Sequence, residues 1–202
     1  MDSRIVVAAV CMMASDASAR AACTPVIDQA QEAFDHWRPA GGVREVMLAQ
    51  VFRVGVTGYL QAARLVASRS DSADYDALVS LQPVESSGVP SVYGNLSQPI
   101  TVRLSESAAW VEARFGDQAV PVMEGQSVAI VLRTPRWGFG EIRWHTTASS
   151  AYPPGGLYVR IPTQPWWTRV EAFVGAFETT VCPEVVSVDS AAWGRVKARY
   201  RG

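Results

Sequence analysis

The sequence predicts an all-β protein, a single two-sheet antiparallel sandwich of about eight or nine strands. Apolar and polar residues alternate over several short segments, and Gly, Pro, Ser and Asp separate these segments. No segment shows a convincing helical period. A chain of 202 residues, of which 49% are hydrophobic and 18% charged, suits one domain with a sizeable core.

Seven segments carry the alternation, and each places its apolar side chains on one face, as a half-buried strand does. They are 48–54, 99–105, 110–115, 127–134, 140–146, 156–161 and 172–181. Two further strands are predicted at 59–68 and 77–84. Because Trp144 alternates in step with Ile142, it is predicted to lie in the core, with His145 pointing outward.

Residues 1–21 have the pattern of a signal peptide. A charge at Arg4 precedes ten apolar residues, Ile5 to Ala14, and Ala17-Ser18-Ala19 or Ala19-Arg20-Ala21 offers an A-x-A cleavage site. Ten apolar residues are too few to span a bilayer as a helix. A buried N-terminal helix is the alternative interpretation, although Asp16 interrupts it. The pattern predicts a secreted or cell-surface protein whose mature chain begins near Ala22.

Export changes how the three cysteines are interpreted. Cys11 lies inside the predicted signal peptide, which leaves Cys23 and Cys182 in an oxidising compartment. A disulfide between them would close almost the whole domain, 22–182, and stabilise it by roughly 4 to 5 kcal/mol in the chain-entropy model. Two free thiols or a metal pair are the alternatives, but a metal would need further ligands.

The order of many short motifs resembles a known family. From Val26 to Val181 the chain is similar to secreted jelly-roll β-sandwich modules of the choice-of-anchor or carbohydrate-binding-like type. The resemblance implies an extracellular, calcium-tolerant jelly roll without catalysis of its own and without one universal ligand. The matching pieces are VIDQAQEAF, LAQVFRVGVTGYLQAARLVASR, SGVPS, AWVEARF, GQSVAIVLRT, IRWHT, YPPGGLYV, WWT and AFETTV.

Aromatic residues crowd into residues 137–167, although the chain overall is 9% aromatic. Sugar rings present apolar C–H faces that pack on indole and phenol rings, and nearby polar groups then bind the hydroxyls. These residues therefore predict a glycan-binding platform. The competing interpretation is that the same rings fill the core and brace loops. The platform candidates are Trp137, Tyr152, Trp166 and Trp167.

Two groups of carboxylates suggest weaker hypotheses. Asp71, Asp74 and Asp76 could supply oxygen ligands to a calcium ion from one loop, although a solvated hairpin loop is the commoner explanation of such a cluster. No other cofactor is predicted. Glu141 could serve a small glycan hydrolase, which would need a second carboxylate about 5 to 10 Å away.

The tail, 183–202, follows Cys182 and lies outside the resemblance. Its cations alternate with Val196, Ala198 and Tyr200, which is a strand pattern with one cationic face. Such a strand could pair with the edge of another subunit, whereas a frayed terminus or an edge strand of the same sandwich explains it more simply. The predicted partner-binding residues are Arg195, Lys197, Arg199, Tyr200 and Arg201.

These observations favour a non-catalytic extracellular module that binds glycan or another cell-surface component. The first alternative is a structural subunit of a fibre or matrix, a homo-oligomer that assembles through strand edges and the tail. The second is the hydrolase. A net charge of −1 gives no electrostatic reason to expect nucleic acid as a partner, and no membrane span is predicted.

Overall fold

Two antiparallel β-sheets make up the fold. The computed structural model describes residues 23–70, 76–135, 140–148 and 155–184, and α-helix is absent from these ranges. The strands are β1 (Val26–Gln31), β2 (His36–Gly41), β3 (Met47–Arg53), β4 (Gly58–Arg69), β5 (Asp76–Pro83), β6 (Ile100–Arg103), β7 (Ala109–Arg114), β8 (Val120–Val122), β9 (Ser127–Arg133), β10 (Glu141–Ala148), β11 (Gly156–Arg160), β12 (Thr168–Val170), β13 (Phe173–Gly175) and β14 (Phe177–Pro183).

The strands divide into two sheets, here called A and B. Sheet A follows the order β1-β14-β4-β10-β13, with β2 also paired to β10 and with β7 and β8 paired to β4. Sheet B follows the order β12-β11-β3-β9-β5-β6. All the pairs are antiparallel, as predicted.

The prediction of eight or nine strands is too low, since the described residues form fourteen. Strands β1 and β2 were not predicted, and β2 contains Pro39 and Gly41, which disfavour strands. Pairing of β2 with the edge of β10 overrides this local preference. Strands β8 and β12 have three residues each, too few to show alternation. The predicted segment 172–181 is divided at Ala176 into β13 and β14.

The main core lies between the sheets and confirms the predicted alternation. Phe52, Ile130 and Phe177 are fully buried in it, and so is Trp144. One polar side chain also links the two sheets within the core. Gln50 of β3 accepts a hydrogen bond at 2.8 Å from the backbone N–H of Gly175 in β13. Its amide group donates to the carbonyl of Val51, also at 2.8 Å.

A second apolar cluster covers the outer face of sheet B. Its buried members are Ala49, Val51, Ala129, Val131, Tyr158 and Trp167, and Val89 and Val92 pack on them. The hydroxyl of Tyr158 donates to the carbonyl of Gly88 at 3.0 Å. The segment that follows β5 is therefore held against sheet B, whereas the outer face of sheet A carries polar and aromatic side chains.

The predicted signal peptide, 1–21, and all but two residues of the predicted tail, 183–202, lie outside the described residues. Strand β14 ends at Pro183, just beyond the predicted domain boundary. Within the part of the chain that the structure describes, no helix is long and apolar enough to cross a membrane.

Candidate functional site

The four predicted platform residues have different surroundings. Trp137 and Tyr152 lie outside the described residues. Trp166, in the connection from β11 to β12, is 57% exposed, as a platform residue should be. Trp167 is only 5% exposed and packs on the outer cluster of sheet B. Its ring therefore covers apolar side chains and has no free face for a sugar, which removes it from the platform.

The predicted disulfide between Cys23 and Cys182 is present, with the two Cα atoms 5.9 Å apart. It joins the residues just before β1 to β14, beside the paired residues Val26 and Val181. The disulfide therefore holds an edge strand of sheet A to the interior of that sheet.

Other predicted site residues remain predictions. Asp71 and Asp74 lie outside the described residues, and Asp76 is the first residue of β5, opposite Arg103 of β6. No group of three or more His, Cys, Asp or Glu side chains that could hold a metal ion occurs within the described ranges. The cationic tail residues lie outside these ranges. Glu141 forms an ion pair with Arg143 at 3.6 Å, and its role in a hydrolase stays a hypothesis.

The structure brings together another set of aromatic and polar residues on the outer face of sheet A. Directly opposed residues of an antiparallel pair share a face, and here Trp37 opposes His145, Arg143 opposes Ser68, and Trp110 opposes Val66. We call this set the aromatic face. It consists of Phe34, Trp37, Ser68, Trp110, Arg143 and His145.

Two half-exposed rings form one end of the aromatic face. Trp37 of β2 is 45% exposed, and the guanidinium carbon of Arg143 lies 4.5 Å from the centre of its ring. Phe34, in the connection from β1 to β2, is 44% exposed and packs edge-on against His145, with ring centres 5.5 Å apart. Cation–π and edge-to-face contacts orient these rings while leaving part of each surface to solvent.

The other end of the aromatic face is Trp110 on β7. The guanidinium carbon of Arg64 lies 5.1 Å from the centre of its ring. Arg64 also pairs with Glu178 of β14 at 3.1 Å, and this carboxylate is almost buried. The Arg64 side chain is 38% exposed, and its charge-assisted contact with the buried carboxylate holds the guanidinium beside the indole.

Strands β2, β10, β4 and β7 lie side by side where the aromatic face is formed. Three strand spacings separate Trp37 from Trp110, a distance of about 14 Å. His145 lies between them, and its Nε2 shares a hydrogen bond of 2.9 Å with the hydroxyl of Ser68. The arrangement offers two ring surfaces with hydrogen-bonding groups between them, which suits an extended polar ligand with apolar faces.

The sequence contained part of this information. Segment 110–115 was predicted to bury Val111, Ala113 and Phe115, and strict alternation then turns Trp110 toward solvent together with Glu112 and Arg114. The exposure of Trp37 could not be inferred from alternation, because β2 was not predicted as a strand.

His145 is expected to make stability depend on pH. Burial, and secondarily the charge of Arg143, lower the pKa of its imidazole below the ordinary value of 6.5. The folded state therefore favours the neutral ring. The contribution of the neutral imidazole to the free energy of unfolding is fully present above about pH 6.5, and it is lost as the pH falls through the folded-state pKa.

This prediction can be checked by urea unfolding of the wild type and of His145→Asn at pH 7.5 and at pH 5.5. The wild type should lose more unfolding free energy between these pH values than the variant does. His36 is present in both proteins and so cancels in the comparison. Equal losses in the two proteins would contradict the prediction.

Comparison with known proteins finds similarity at the level of fold. A scan against protein-family models and a search of curated proteins both give no match. Among solved structures, the chain is similar to the cysteine protease and lectin-like domains of Cwp84, a surface layer associated protein of Clostridium difficile. The TM-score is 0.51 and the identity 11%, over 69% of this chain and 32% of that one.

A second similar structure is the clostridial cysteine protease Cwp84 after propeptide cleavage, with a TM-score of 0.57 and 12% identity over 79% of this chain and 40% of that one. This chain therefore spans 32% to 40% of the length of the structures it matches. At such low identity the similarity shows a shared β-sandwich fold and does not by itself assign a site.

Proposed function

We propose that this chain is a non-catalytic carbohydrate-binding module that works outside the cytoplasm, with its strands in a jelly-roll arrangement. The observation that carries the proposal is the aromatic face. Trp37 and Trp110 offer ring surfaces for the C–H faces of sugars, and between them the partly exposed Arg143 and His145 offer hydrogen bonds to hydroxyl groups. Ser68 is buried, and its hydroxyl is bonded to the His145 ring.

Three further observations support the proposal. The Cys23–Cys182 disulfide suits an oxidising compartment outside the cytoplasm. The similar structures belong to a surface layer associated protein that contains a lectin-like domain. The charged side chains around the aromatic face are paired, Arg143 with Glu141 and Arg64 with Glu178, so that binding there need not depend on a strong net charge.

The proposal is tested by binding to a glycan array and by titration with any glycan that the array identifies. Trp37→Ala and Trp110→Ala should each weaken binding by roughly tenfold or more, because each removes a ring that packs on the sugar. The melting temperature of Trp37→Ala should change little, since its side chain is half exposed.

Tyr93→Ala is the matched control, because Tyr93 is 82% exposed and follows the segment that covers sheet B, away from the aromatic face. Trp166→Ala tests the loop platform predicted from the sequence, to which Trp137 and Tyr152 also belong. Loss of binding in Trp166→Ala alone would move the site to that platform. If the array gives no binding to the wild type, the proposed function is wrong.

A further inference from the structure

A groove of about 690 Å³ opens where the chain crosses from β6 in sheet B to β7 in sheet A. Apolar side chains of Leu104 and Val111 line part of it, and Trp110 stands in its wall. Trp110 therefore belongs both to the groove and to the aromatic face. The volume lies within the range of pockets that hold small ligands.

Two arginines line this groove. The backbone of Arg69 is held in place because its N–H donates to the carbonyl of Ser105 at 2.9 Å. The side chain of Arg69 is 16% exposed. Arg103 comes from β6 and is exposed. Among the described residues that line the groove there are two guanidinium groups and no carboxylate.

Carboxylates are present near the groove without being among its lining residues. Glu106, whose side chain is 61% exposed, lies 3.4 Å from Arg69, measured between Oε1 and Nη2. Asp76 stands opposite Arg103 across the pairing of β5 with β6. Because the Glu106 carboxylate is itself 61% exposed, its ion pair with Arg69 contributes little stability, and an anionic ligand can take its place at modest cost.

We propose that the groove binds a sugar unit that carries a carboxylate, such as a hexuronic acid. Its carboxylate would accept paired hydrogen bonds from the planar guanidinium of Arg69 or Arg103, and its ring would pack on Trp110. This inference rests on the proposed function and specifies its ligand as an acidic polysaccharide that runs from the groove onto the aromatic face.

Trigalacturonate is the probe, and the corresponding carboxyl-reduced neutral trisaccharide is its control. Calorimetric titration should show that reduction weakens binding by roughly tenfold or more, since it removes the charge-assisted hydrogen bonds. Arg103→Gln should weaken trigalacturonate binding to a similar degree. Arg69→Lys keeps the charge but loses the planar fork, and it should also weaken binding.

Arg114→Gln is the matched control, because Arg114 lies on the same strand as Trp110, is exposed, and is not among the residues that line the groove. It removes the same charge and should leave the affinity within about twofold of the wild type. Melting temperatures of all the variants verify that they are folded.

The inference is overturned if the neutral trisaccharide binds as well as trigalacturonate, or if Arg103→Gln binds like Arg114→Gln. Tighter binding of a phosphorylated than of a carboxylated sugar would overturn the choice of carboxylate. Loss of binding in Trp37→Ala but not in Arg103→Gln would support the aromatic face as the binding site and exclude the groove. Loss of binding in Arg103→Gln but not in Trp37→Ala would support the groove as the binding site and exclude the aromatic face.

Discussion

Replacing Cys23 and Cys182 by serine is expected to lower the free energy of unfolding by about 5 kcal/mol, because the disulfide closes a loop with a sequence separation of 159 residues. The loss arises mainly in the unfolded chain, which gains conformational freedom when the loop is open. Losses of this size compare with the whole stability of many single domains. Urea unfolding of the oxidised wild type and the double variant measures it.

The single variants provide the control. The same bond is broken in Cys23→Ser, in Cys182→Ser and in the double variant. The three proteins should therefore lose nearly the same free energy of unfolding, and the losses of the two single variants should not add in the double variant. Dithiothreitol should lower the stability of the wild type toward that of the variants and leave the double variant unchanged. A double variant whose urea midpoint equals that of the oxidised wild type would show that the disulfide adds no stability.

The disulfide also has a local role. Strand β1 is an edge strand whose residues are mostly exposed or half-buried, with Ile27 63% exposed. Little apolar burial therefore holds it in place, and its pairing with β14 is interrupted by a shift of register between Ile27 and Gln29. Amide exchange in β1 should accelerate more than exchange in the central strand β4 when the disulfide is broken.

The sequence predicted the class of fold and much of the core because alternation is a strictly local property. Phe52, Ile130 and Trp144 all sit in segments whose period of two assigns them to the inside. The cysteine pair could be predicted from compartment and count alone. Neither inference requires knowledge of which strands are neighbours.

The aromatic face could not be predicted, because it depends on which strands are neighbours. Trp37 and Trp110 are 73 positions apart in the chain and are brought to one surface by the pairing of β2 with β10 and of β7 with β4. Strand β2 itself exists against its local preferences. A search for clusters along the sequence instead selects residues 137–167, where proximity in the chain does not imply a shared surface.

Trp166 and Trp167 show the same limit at the scale of two residues. They are neighbours in a connection without strand periodicity, yet one is 57% and the other 5% exposed. What decides this is the second face of sheet B, where Ala49, Val51 and Val131 need cover. Segment 127–134 was predicted as a half-buried strand, whereas the continuous apolar run of β9 is buried on both sides. The run does not show which residue covers its second face.

Trp144→Ala is expected to lower the free energy of unfolding by roughly 3 to 5 kcal/mol, because it empties the largest fully buried side-chain volume of the core. Trp144 sits where β10, β4 and β13 meet, and its indole N–H donates to the carbonyl of Ala176 at 3.0 Å. That carbonyl also accepts from the N–H of Val66 at 3.2 Å, so it keeps a partner when the indole is removed. Most of the loss is therefore due to the cavity, and Trp144→Phe should cost clearly less than Trp144→Ala.

Gly175 allows a sharper test of this packing. A Cβ at Gly175 would lie 2.8 Å from two atoms of the Trp144 indole, closer than van der Waals contact permits. Gly175→Ala should therefore destabilise the wild type by roughly 1 to 3 kcal/mol through overpacking. In the Trp144→Phe background the five-membered part of the indole is gone, and the same substitution should cost less. Urea unfolding of the four proteins gives the coupling free energy, and strict additivity would mean that the indole and the backbone of β13 do not constrain each other.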